Sequence, residues 1–197
     1  MEQVPLEAAA AERTRSATQA FQDTRWRRHK RMAFGLGSLA GFLAGNANAT
    51  WGVAFGFPVI NDMGLFLAVL AVAVAPVVEE SAKLLPLLLL RAEEGAVYDP
   101  HGWLILGALS GLGFTLLEAL TYGLTIAPLS PGLAGYNVLF RLLFPLHAIT
   151  ASVSGYAYGR YRATRKASVL LLGLGAAMAM HMTWNLWQVL GGTGVSP

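Results

Sequence analysis

The chain contains no cysteine, which excludes disulfides, thiolate metal sites and thiol nucleophiles together. It is also poor in charge. Asp, Glu, Lys and Arg make up 13% of its 197 residues, about half the share usual in a soluble domain. Hydrophobic residues account for 55% and mean hydropathy is +0.51, so much of the surface must face something other than water. There is no HExxH, and the chain is therefore not a zincin. Ser110, with Gly111 and Gly113 nearby, forms nothing like G-x-S-x-G, and serine chemistry has little support. Internal repeats and low-complexity segments are missing as well.

What is present is a series of long apolar stretches at about 33–57, 64–90, 102–126, 135–159 and 168–190. Each is near the roughly 20 residues that cross a bilayer as a helix. The expected fold is therefore all-α, a polytopic membrane protein of about five transmembrane helices. Asn46, Asn48 and Thr50 interrupt the first stretch, while its Gly37, Gly41 and Gly45 suit close helix packing in lipid. Pro100, Pro128 and Pro131 mark turns. Residues 1–31 read as a separate basic juxtamembrane segment, with 6–30 as either a helix on the cytoplasmic membrane surface or a disordered basic tail. Residues 32–197 read as the transmembrane domain.

Twelve of the fourteen Lys and Arg residues lie in the N-terminal segment, at Arg91, or at Arg160, Arg162, Arg165 and Lys166. The loops between belong to the other side and carry none. By the positive-inside rule the N-terminus is expected in the cytoplasm and the C-terminus outside, and the plasma membrane is the expected location. This distribution accounts for the pI near 9.4 without a nucleic-acid partner.

The other two basic residues, Lys83 and Arg141, lie inside spans, as do Glu79, Glu80, Glu118, His147, His181 and Asn185. A charge at the bilayer centre costs roughly 2.5–3.5 kcal/mol on insertion scales, so such residues are functional by default. Glu79 and Lys83 share a helix face as an i,i+4 pair; Glu80 lies about 100° around and reaches Lys83 at i+3. One lysine does not neutralise two adjacent carboxylates in a low-dielectric site, which leaves one of them suited to acid–base work. Spacing alone does not say which. Pro76, one turn earlier, frees a backbone carbonyl and bends the helix. Phe114 and Glu118 share a face, and Glu118 needs a partner from another helix: Arg141, His147 or a metal. Arg141 reads equally as a snorkelling anchor. His147 follows Pro145 and has Ser152 and Ser154 close in sequence. His181 and Asn185 share a face flanked by Trp184 and Trp187, where the amide can orient the imidazole or donate to an oxyanion. Counted inward from the outer span ends, Glu118, His181, His147 and Glu79 fall in a layer roughly 10 Å thick between the outer half and the midplane, with Lys83 on its cytoplasmic side.

Such a set suits hydrolysis of a peptide bond by either of two mechanisms. In one, Glu118, His147 and His181 ligate Zn²⁺ while Glu79 or Glu80 is the base. In the other no metal takes part: Glu79 or Glu80 and a histidine activate water, and His181 with Asn185 holds the oxyanion. The motifs Glu79-Glu80-x-x-Lys83, Phe114-x-x-x-Glu118, His147 preceded by Arg141, and His181-x-x-x-Asn185 occur in order on successive helices. In this the chain resembles the PrsW-type intramembrane proteases, distant relatives of the CAAX-processing and bacteriocin-processing membrane endopeptidases. The resemblance implies a membrane peptidase of the metallo- or glutamate type whose substrates are membrane-anchored proteins, such as an anti-sigma factor cut on the outer side. A proton- or cation-coupled transporter would also bury Glu, His and Lys, but the odd span number and missing inverted repeat oppose it. A structural or immunity-type membrane protein with a degenerate site would not need the full motif set.

Overall fold

A computed structural model of the protein describes residues 6–51, 63–91 and 98–190. The expected loop at 58–63 except its last residue, most of the loop at 91–101 and the C-terminal tail from 191 lie outside the described residues. What is described is helical, with no strand among the described residues. In chain order the elements are α1 (Leu6–Trp51), α2 (Met63–Val69), a π-helical turn (Leu70–Val74), α3 (Ala75–Arg91), α4 (Pro100–Ile126), α5 (Pro131–Leu143), α6 (Leu146–Thr164) and α7 (Ala167–Leu190).

Four segments are long and apolar enough to cross a membrane: Gly64–Leu90, Pro100–Ile126, Pro131–Thr164 and Ala167–Leu190. They correspond to the second to fifth expected spans. The first expected span runs, as far as Trp51, as the continuation of α1. That helix has no break at residue 31, so the basic segment and the apolar stretch that follows share one rod.

Local chemistry sets the boundaries. Asp99 caps α4 by accepting from the Gly102 N–H at 2.7 Å, with Pro100 in the first turn. Ser130 caps α5 in the same way, followed by Pro131. Arg165, at φ 60°, closes α6. The expected span over 135–159 is not one uninterrupted helix. Pro145 has no N–H to donate to Arg141 and disfavours helical backbone at Phe144, and the chain breaks at Phe144–Pro145 before restarting as α6.

The central helix is α4, packed against α1, α5 and α6; α6 packs in turn on α7. Small residues allow the close approach. A methyl group at Gly37 would meet the Ser110 backbone, and one at Gly41 would contact Phe114. Gly45, the third of that stripe, meets nothing within 4 Å among the described residues. Across α4 and α6, methyl groups at Gly107 and Gly111 would collide with the Ala151 and His147 carbonyls. Without hydrophobic drive between helices in lipid, such backbone-to-backbone contact is the main source of attraction. One end of the bundle is sealed by Leu84, Leu87, Leu90, Trp103, Leu106 and Tyr158, with Trp26 and His29 of α1 packed on Tyr98.

Candidate active site

The ionisable residues of the spans meet in one place. Glu79, Glu80, Lys83, His147 and His181 are all less than 9% exposed. They come from α3, α6 and α7, which converge beside α4.

Glu80 is the hub. Its Oε1 accepts from Lys83 Nζ at 2.6 Å, from Thr150 Oγ1 at 3.0 Å and from His181 Nδ1 at 2.8 Å. Lys83 therefore pairs with Glu80 at i+3 rather than with Glu79 at i+4. Its ammonium also lies 2.7 Å from His147 Nδ1 and 4.7 Å from the centre of the Phe114 ring. An ammonium has only donors, so His147 Nδ1 accepts here and the ring hydrogen lies on Nε2. That nitrogen donates to Glu118 Oε2 at 2.6 Å, and the same oxygen accepts from Arg141 Nη1, also at 2.6 Å. Arg141 is thus joined to the cluster through Glu118. Its Nε donates to Asn137 Oδ1 at 3.0 Å, and its guanidinium lies 4.2 Å from the centre of the Tyr122 ring.

Glu79 is placed differently from Glu80. Asn48 Nδ2 donates to its Oε1 at 3.2 Å, whereas Oε2 is buried without a hydrogen-bond partner among the described residues. That free oxygen lies 3.8 Å from His181 Nε2 and 4.0 Å from His147 Nδ1. Glu79, His147 and His181 form a group whose ligand atoms lie within 4.8 Å of one another. Two imidazole nitrogens and one carboxylate oxygen are a donor set known from catalytic zinc sites. Glu118, expected among the ligands, holds His147 from its other ring nitrogen, and Glu80 holds His181 likewise. A metal at the His147 Nδ1 position requires Lys83 to release that nitrogen and keep Glu80. With that one exchange the residues fit a divalent ion.

A cavity of about 500 Å³ opens on this group. Glu79, His147, His181 and Glu118 line its polar end, and Phe140, Phe144 and Trp184 are among its apolar walls. Glu80 and Lys83 stand behind this lining, Glu80 being fully buried.

The π turn and Pro76 explain where Asn185 goes. Ala75 N–H bonds to the Leu70 carbonyl five residues back. In that pattern the Ala71 carbonyl would look to residue 76, a proline without an N–H. Asn185 Nδ2 supplies the missing donor, 2.8 Å from Ala71 O. The carbonyl expected to be freed by Pro76 is therefore present, but Asn185 is occupied with it rather than with the His181 ring. Ser152 bonds to the Ala148 carbonyl at 2.7 Å and takes no part in holding His147.

Sequence reasoning passed over Thr150, Tyr122 and Asn48. Thr150 and Tyr122 look ordinary in apolar helices. Asn48 carried the signal that found the others, an unexplained polar group in a span, but it reads first as a flaw in a weak helix.

No curated protein and no solved structure gives a significant match to the chain. A family model, however, matches residues 26–196, from the basic end of the N-terminal segment through all of the site. The chain belongs to the PrsW family of intramembrane metalloproteases, and is an integral membrane protease.

Proposed function

We propose that the protein hydrolyses a peptide bond in the membrane-embedded segment of an anchored protein, and that Glu79 is the carboxylate at which the attacking water is held. The observation that carries this reading is the free Glu79 oxygen, buried at the cavity wall 3.8 Å from His181 Nε2. Both atoms are acceptors, because Glu80 holds the hydrogen of His181 on Nδ1. A water between them gives one hydrogen to each, leaving its lone pairs for the scissile carbonyl. Glu79 then takes the proton and passes it to the leaving amine. Glu118 and Glu80 fix the two rings, and the Arg141 pair neutralises Glu118 at the cavity edge. Glu79, His147 and His181 are the residues that would hold a divalent metal, which when bound acidifies water and polarises a carbonyl.

The basic residues support a cytoplasmic N-terminus and a site in the outer half of the plasma membrane, with cleavage toward the outer side. Zn²⁺ is the metal that this donor set suits best. The test is cleavage of a single-span substrate by the purified protein in liposomes, with the products mapped by mass spectrometry. A cut within the substrate's span, abolished by Glu79→Gln, supports the reading. Cutting only in the soluble flanks contradicts it. Loss of cleavage on chelation with return on adding Zn²⁺ assigns the metal; indifference to chelator leaves Glu79 and His181 to act alone.

A further inference from the structure

Asn48 is one of three polar residues near the end of α1. Its neighbours turn inward on their own helix: Asn46 Nδ2 donates to the Phe42 carbonyl at 2.7 Å and Thr50 Oγ1 to the Asn46 carbonyl at 2.9 Å. Among the described residues, Asn48 alone of the three reaches another helix, where its Nδ2 donates to Glu79 Oε1 at 3.2 Å. Its Oδ1 is buried and has no hydrogen-bond partner among the described residues, and the residue lines the cavity. The approach of α1 to α4 at Gly37 and Gly41, with Ala40, Ala44 and Phe114 packed between them, sets the position from which it reaches.

We infer that Asn48 is a further site residue with two separate tasks, an inference that rests on the role proposed for Glu79. Its Nδ2 is a positioning group: by holding Oε1 it turns Oε2 toward the two imidazoles. Its Oδ1 accepts a backbone N–H of the substrate. A bilayer-spanning helix keeps its amide hydrogens bonded within itself, and a nucleophile reaches the scissile carbonyl only where that helix is unwound. Unwinding frees N–H groups in a dry cavity, where an unpaired donor is costly. The unpaired Asn48 oxygen on the cavity wall meets that need, and its own lack of a partner ends when substrate arrives. The ligand is thus an unwound peptide segment, recognised through its backbone and therefore with little dependence on side chains at that point.

The experiment uses the full chain in liposomes with a fluorescent single-span substrate. It reads kcat and KM in the otherwise native enzyme, and the Kd of intact substrate on a non-cleaving Glu79→Gln background. Asn48→Leu removes both tasks: kcat falls by roughly tenfold to a hundredfold, as for loss of a hydrogen bond to a charged group, and the Kd on the Glu79→Gln background weakens by about tenfold. Asn48→Asp restores the acceptor without the donor, so the Kd returns near that of Glu79→Gln alone while kcat stays low. A structural role does not separate the two readouts. Native kcat and KM in Asn48→Leu overturn the inference, as does a loss matched by loss of folded chain in thermal melts, or a Kd untouched by both variants. Should Glu79→Gln itself cleave normally, it is the role of Glu79 that fails, and this is seen before any Asn48 variant is made.

Discussion

The two adjacent glutamates give opposite predictions when each loses its charge. Glu80→Gln keeps the shape and leaves an oxygen for His181 and Thr150, but strips Lys83 of its counter-ion in a place where both side chains are fully buried. Removing one partner of a buried pair costs about 3–5 kcal/mol, because the remaining charge is left uncompensated. At about 2–4 °C of Tm per kcal/mol for a chain of this size, Glu80→Gln melts roughly 6–20 °C lower. In metal-free protein, Glu79→Gln disturbs no ion pair with Lys83 and melts within about 3 °C of the native chain. The double variant Glu80→Gln/Lys83→Met removes both charges and recovers most of the loss, since a buried pair can be replaced by neutral groups with little net cost. The assay is thermal unfolding in detergent followed by tryptophan fluorescence, for which the chain has five tryptophans. A Glu80→Gln protein that melts with the native chain and cleaves nothing would refute the division of labour, making Glu80 the chemical group. Cleavage by folded Glu80→Gln is expected to fall only about 10–100-fold, the usual effect of losing a group that orients a histidine.

Three further outcomes are expected. Gly111→Ala forces a methyl group into the His147 carbonyl; overpacking of this kind costs about 1–3 kcal/mol, and cleavage drops with the melt, whereas Gly132→Ala, which meets nothing within 4 Å, leaves both unchanged. Arg141→Met frees Glu118 from its 2.6 Å partner and lowers cleavage by about 10-fold or more through the misplaced His147 ring; Glu118→Gln/Arg141→Met then recovers stability more than activity, read by melt and cleavage side by side. Metal analysis of the purified protein is expected to find one divalent ion per chain, lost in His181→Ala and in Glu79→Gln but retained in Asn185→Leu, whose amide faces the Ala71 carbonyl.

Much of this was legible from sequence because the bilayer makes polar groups conspicuous. Glu79, Glu80, Lys83, Glu118, Arg141, His147 and His181 stand out against apolar neighbours, and all fall into one connected network. The helical fold was legible for the same reason, with proline and cap residues marking the ends of α4 and α5. The pairings were not. Whether Lys83 turns to Glu79 or Glu80 depends on how α3 is rotated against α4, α6 and α7, and the π turn at Leu70–Val74 shifts that rotation without any pattern in residues as plain as leucine, alanine and valine. The break at Phe144–Pro145 was hinted at by the proline, but a proline in a span can kink a helix as well as end it. Asn48 was hidden by its setting, since Asn46 and Thr50 beside it interrupt the same stretch and make it read as a weak span.

The account stands most directly on cleavage by folded Glu79→Gln. With melting and liposome insertion matched to the native chain, single-turnover cleavage of a single-span substrate is predicted to fall by about 10²–10⁴-fold, the range that a positioned general base contributes. Cleavage within about tenfold of native by that folded variant would contradict the claim that water is held and activated at Glu79.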